Sequence, residues 1–104
     1  MSKFGRTVLL LTGVLGLSAL AVPTNADDSV SYCRHYAQSG VRQARAARYH
    51  DRCHHFIREN PARFSEDYGG HFKSCMANYG SGFNAAENQA RIDALNECIP
   101  DHSW

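Results

Sequence analysis

Four cysteines, Cys33, Cys53, Cys75 and Cys98, constrain this 104-residue chain more than any other feature. All four follow a segment that reads as an export signal. MSKFGR is a basic head with Lys3 and Arg6, residues 7–22 are apolar and uncharged, and PTNA leads into Asp27 and Asp28. A basic head, an apolar core and a small-residue exit predict a secretory signal peptide over residues 1–26, cleaved after Ala26, with Ala21 as the alternative. The apolar run is shorter than the ~20 residues of a membrane span and is interrupted by Gly13 and Gly16. No second apolar run follows, so the expectation is a periplasmic or secreted protein without a membrane span after cleavage. An even cysteine count in an exported chain then predicts two disulfides. Residues 27–104 suffice for a single domain with one small core, a size at which cross-links commonly supplement apolar burial.

The remaining pattern is helical. Cys33, Tyr36, Ala37, Gly40, Ala44 and Ala47 recur every three or four residues, while Arg34, Arg42, Arg45, Arg48 and Arg52 fall on the other side. These predict a helix from about Ser31 to Arg48, after a loose tail at 27–30. Gly40 costs helix stability, which points to a packing reason, and the small residues beside it would let another helix approach closely. After Arg48 the apolar phase shifts to Tyr49, Cys53, Phe56 and Ile57. That shift predicts a kink or a second short helix ending before Asn60-Pro61. Ser65 with Glu66 and Asp67 reads as an N-cap with acids in the first turn, ahead of a stripe of Tyr68, Phe72, Cys75, Met76 and Tyr79. Gly80-Ser81-Gly82 would end that helix. Asn84 and Glu87 resemble a capping box for a last helix with Ile92, Leu95, Cys98 and Ile99 inward and Pro100 as its stop. With no alternating or β-branched run, the expected fold class is all-α: a small disulfide-stapled bundle of three to four helices.

Geometry narrows the cysteine pairing. Bridged Cα atoms lie within ~7 Å. Cys33 and Cys53 sit at opposite ends of a helix rising ~1.5 Å per residue, so they should not pair. The last two helices share a short turn and should be antiparallel, which separates Cys75 from Cys98. Two pairings remain. If the third segment runs antiparallel to the first helix, Cys33 meets Cys75 and Cys53 meets Cys98; if parallel, Cys33 meets Cys98 and Cys53 meets Cys75. The first is favoured because neighbouring helices are more often antiparallel.

The order C33-R-H-Y36-A37, V41-R-Q43, C53, R63-F64-S65-x-D67, H71-x-x-x-C75, then E87 and R91 before C98, resembles a group of small exported four-cysteine helical proteins of alphaproteobacteria. The resemblance spans most of residues 27–104. It implies an exported, helical, disulfide-linked module and carries no reaction with it.

Charge and histidine content define the candidate chemistry. Formal net charge is only +1, but residues 34–63 hold seven arginines against Asp51 and Glu59, while from Phe64 onward only Lys73 and Arg91 are basic. Arg42, Arg45, Arg48 and Arg52 are therefore the candidate partner-binding residues, for an unidentified protein or an anionic surface ligand. The competing reading is a solvated face that attracts the acidic second half of its own chain. Nucleic-acid binding is not expected, since no nucleic-acid motif accompanies the arginines. The six histidines suggest an alternative, a periplasmic copper or zinc protein using His50, His54, His55 and His71. No metal is favoured, because no paired Cys-x-x-Cys or His-x-x-x-His cassette occurs and oxidised cysteines do not ligate as thiolates. His71 and Cys75, four residues apart, would share a helix face, yet nucleophilic catalysis needs a free thiolate, an orienting group and an oxyanion hole. The expected role is thus a non-enzymatic binding or structural module, with no cofactor.

Overall fold

The computed structural model describes residues 26–104. The predicted signal peptide lies outside the described residues, apart from Ala26. Four α-helices follow: α1 Ala26–Tyr49, α2 His54–Glu59, α3 Tyr68–Ala77 and α4 Phe83–Cys98, with a single 3-10 turn at Asp51–Cys53 before α2. Among the described residues there is no strand, and no helix is long and apolar enough to cross a membrane.

Helix α1 carries its pattern almost without exception. Cys33, Tyr36, Ala37, Gly40, Ala44 and Ala47 are all buried, and Arg34, Arg42, Arg45, Arg48 and Arg52 are all exposed. The helix begins earlier than expected: residues 27–30 are helical, not a loose tail, and Ser29 is buried. The phase shift after Arg48 becomes the 3-10 turn and α2. Tyr49 leaves the apolar stripe and is 87% exposed, while Phe56 and Ile57 pack partly buried.

Two disulfides, Cys33–Cys75 and Cys53–Cys98, tie the helices, with Cα atoms 5.6 and 5.2 Å apart. This is the pairing that requires α3 to run antiparallel to α1. Each bridge is the centre of an apolar cluster. Cys33 and Cys75 gather Tyr36, with Phe72 and Met76 against them. Cys53 and Cys98 gather Ala47, Phe64, Ala94, Leu95 and Ile99. Between the clusters the core is polar: Gln43 of α1, His71 of α3 and Arg91 of α4 are all buried. The expected single core is therefore two small ones separated by a buried polar layer.

The starts of α3 and α4 differ from expectation, and the reasons are tertiary. Helix α3 begins at Tyr68 with Asp67 as N-cap, two residues late. Glu66 is drawn instead to Arg48 and Arg45 of α1. The Ser65 hydroxyl accepts from the Asp67 amide at 3.0 Å, making a local turn rather than a helix cap. Helix α4 is entered through Gly82, in the left-handed region at φ 84°, with no side-chain cap. Asn84 turns inward, its Nδ2 donating to the Cys75 carbonyl at 3.1 Å, and Glu87 binds Arg63, so no capping box forms. Gly80, at φ 86°, takes the same left-handed conformation in the turn that ends α3, which an L side chain would adopt only with strain.

Candidate functional site

The sequence placed its candidate partner surface on the outer side of α1, and the structure shows what occupies it. Arg45 Nε lies 3.4 Å from Glu66 Oε1, and Arg48 Nη1 is bonded to Glu66 Oε2 at 2.5 Å. These bonds hold the Glu66 carboxyl below the usual carboxylate range, the Arg48 hydrogen bond first. Two of the four candidate arginines thus engage one carboxylate, Glu66, of the chain's own acidic half. Arg42 reaches only Ser39, at 3.4 Å, and Arg52 is exposed.

The histidines of the metal alternative are not brought together. The ring Nε2 of His54 donates to the Arg48 carbonyl at 2.7 Å, and His55 lies on Phe56 with ring centroids 4.0 Å apart. His50 meets Tyr49 edge-on, and His71 is buried in the polar layer between α1, α3 and α4. Among the described residues no group of three His, Cys, Asp or Glu side chains is arranged to hold a metal ion. The Cys75 sulfur is in a disulfide, so His71 has no thiol to activate. Nor does the His71 ring turn to the Asp67 carboxylate, as local bonding one turn back would require. Its Nε2 is 2.6 Å from the Ser65 carbonyl, which can only accept, so Nε2 carries the hydrogen. At the C-terminus, Trp104 docks by donating from Nε1 to Asn96 Oδ1 at 3.2 Å.

A cleft that the sequence did not single out is more enclosed than the surface at Arg45 and Arg48. It has a volume of about 380 Å³ and is walled by Tyr36, Arg63, His71, Phe83, Glu87 and Arg91. Helices α1, α3 and α4 and the 60–65 segment all contribute. Arg63 spans the 60–65 segment and α4 through a bidentate bond to Glu87, Nε to Oε1 at 3.0 Å and Nη2 to Oε2 at 2.9 Å. That bond, with the positive charges of Arg63 and Arg91, holds the Glu87 carboxyl below its ordinary range against the opposing effect of burial. The Arg63 guanidinium is raised by the same hydrogen bond.

Arg91 is the unusual member, only 1% exposed. Its Nε donates to Gln43 Oε1 at 2.6 Å and its Nη1 to the Arg63 carbonyl at 3.3 Å. The guanidinium lies over the Tyr36 ring, 5.1 Å from its centroid. Gln43 is held in turn by donating Nε2 to Asn88 Oδ1 at 2.9 Å. Among the described residues no group accepts from Arg91 Nη2, which is shut off from solvent. Buried charged groups are ordinarily paired and hydrogen-bonded, so an Arg with an unused donor face beside a cleft is an exception that asks for a cause.

Sequence reasoning counted Arg91 as one of two late basic residues and Glu87 as a cap. A single arginine in a helix gives no local sign that it will point inward. Tyr36, Gln43, Arg63, His71, Glu87 and Arg91 all line the cleft or bond to a side chain that does, and their spacing in the sequence does not mark them as neighbours. Comparison with known protein families, with curated proteins and with solved structures finds no match.

Proposed function

We propose that this chain is a non-enzymatic binding module of an oxidising compartment outside the cytoplasm, periplasmic or secreted, and that it takes its ligand in the cleft between α1, α3 and α4. One observation carries this reading: the fully buried Arg91, beside a 380 Å³ cleft, with an Nη2 that no residue satisfies. The volume falls in the lower part of the ~300–1,000 Å³ range of small-molecule sites. Two disulfides support the compartment, since such bridges persist where thiols are not kept reduced. They also take up all four sulfurs, which supports a role in binding over thiol catalysis. The arginine surface of α1 is a weaker candidate, because Glu66 already engages Arg45 and Arg48.

The test is a fragment screen by amide chemical shift on the oxidised protein, repeated with Ala62→Trp. Ala62 lines the cleft and is exposed, so the indole would fill the site without removing a polar contact. Fragments that shift residues 62–65, 70–74 and 83–91 in the parent and lose that effect in A62W support the reading. Fragments that map only to the α1 arginine surface, or nowhere, overturn it.

A further inference from the structure

The charges in the cleft specify the kind of ligand. Arg63 and Glu87 satisfy each other through two parallel bonds. Arg91 then remains with a positive charge and no carboxylate bonded to it, and its Nη2 has no acceptor. The Glu87 carboxylate is close enough for its protonation to feel the charge of Arg91, and it would repel a second negative charge on any ligand. The walls beside these groups are mixed: Ser65, Ser74 and Asn60 are polar, whereas Ala62 and the 45% exposed Phe83 offer apolar surface.

We infer that the cleft receives a small organic monocarboxylate, its carboxylate facing the uncompensated charge of Arg91 and its apolar body lying on Phe83 and Ala62. A monoanion matches the single uncompensated charge of the cleft wall. A phosphate dianion would bring one charge too many beside Glu87. A neutral amide would supply an oxygen but leave the buried charge unopposed. This inference rests on the cleft being a ligand site, as proposed above.

The probes are benzoate, its neutral isostere benzamide, and inorganic phosphate, each titrated in the millimolar range into the oxidised protein and followed by amide shifts. Benzoate is expected to shift residues 62–65, 70–74 and 83–91 saturably, with benzamide and phosphate weaker by roughly tenfold or more. Arg91→Gln is expected to lose the benzoate response, while Arg42→Gln, on the outer side of α1, keeps it. Should R91Q fail to fold by near-UV circular dichroism, A62W serves as the variant that blocks the cleft and leaves Arg91 in place. Benzamide binding as tightly as benzoate overturns the requirement for charge while the cleft remains a ligand site. Tighter binding of phosphate overturns the carboxylate in favour of a phosphate site. No saturable benzoate response overturns the inference; the fragment screen then decides separately whether the cleft binds anything.

Discussion

The imidazole of His71 lies against α1 at Gly40, where a Cβ would stand 3.2 Å from both Cγ and Cδ2 of the ring. On its other side the ring is held by the Ser65 carbonyl at 2.6 Å, and the residue is buried. The ring therefore has little room to retreat. Alanine at position 40 gains about 1 kcal/mol of helix propensity but crowds a fixed ring, and overpacking costs ~1–3 kcal/mol. Gly40→Ala is expected to destabilise the protein by up to ~2 kcal/mol. In a His71→Ala background the same change should stabilise it by ~1 kcal/mol. Urea unfolding of the four proteins as a double-mutant cycle checks both signs, and a G40A that stabilises the parent would remove the close approach as the reason for this glycine.

Acid stability should report on Glu87. In the unfolded chain its carboxyl titrates near ~4.3, and in the fold it is held lower by the Arg63 hydrogen bond and by the charges of Arg63 and Arg91. A depressed folded value means the stabilisation is fully present above the unfolded value and is lost as the pH falls through the folded one. Stability is thus expected to be flat near neutrality and to fall below pH ~4. Glu87→Gln should lower stability at pH 7 by about 1 kcal/mol, allowing for partial exposure of the pair, and should flatten the acid slope. Denaturant unfolding at neutral and acid pH measures both; an E87Q protein with the parent's acid slope would take Glu87 out of the account.

The pair at the surface behaves differently. Glu66 bridges Arg45 and Arg48, whose side chains are 71% and 74% exposed. Solvent screening and the ordering of long side chains leave such pairs little net effect. Glu66→Gln is expected to leave the unfolding free energy unchanged within measurement error at moderate salt. A measurable loss would show that the 65–67 turn depends on this carboxylate to reach α3.

Each disulfide closes a long segment, with sequence separations of 42 and 45. In the chain-entropy treatment a bridge of that span contributes about 4 kcal/mol by restricting the unfolded chain. For a domain of this size that is a large share of the ~5–15 kcal/mol total. Cys53→Ser with Cys98→Ser should therefore unfold at much lower denaturant, with the cluster of Leu95, Phe64 and Ile99 loosening first. Alkylation followed by intact mass gives the companion check: no label without reductant and four labels after reduction.

The inner face of α1 was legible in the sequence because one helix face is a local property. Cys33 to Ala47 repeat at helical spacing, and the arginines opposite have nowhere else to go. The termini of α3 and α4 were not, because each cap was outbid by a partner far along the chain. Glu66 turns to Arg48, Asn84 to Cys75 and Glu87 to Arg63, over separations of 18, 9 and 24 residues. The cleft was hidden for the same reason. It depends on a cation, Arg91, and an amide, Gln43, placed 48 residues apart and brought together only by the packing of α1 against α4.

That meeting can be tested on its own. Gln43 Oε1 is the side-chain acceptor for buried Arg91, at 2.6 Å, and Gln43 is itself 5% exposed. Gln43→Leu keeps the approximate volume but strips the cation of that acceptor, so it should destabilise by roughly 2–3 kcal/mol. Arg91→Met alone leaves a neutral amide without one partner and should cost less. The pair of changes together replaces a polar contact by an apolar one. If the layer serves stability alone, Gln43→Leu with Arg91→Met should be close to neutral, because matched removal of both partners avoids a stranded group. The combined variant is expected to recover most of the stability lost in Q43L while losing the benzoate response, measured by urea unfolding and amide shifts on the same sample. A double variant as unstable as the sum of its singles would mean that the two residues act independently and that the polar layer is not held together through this bond.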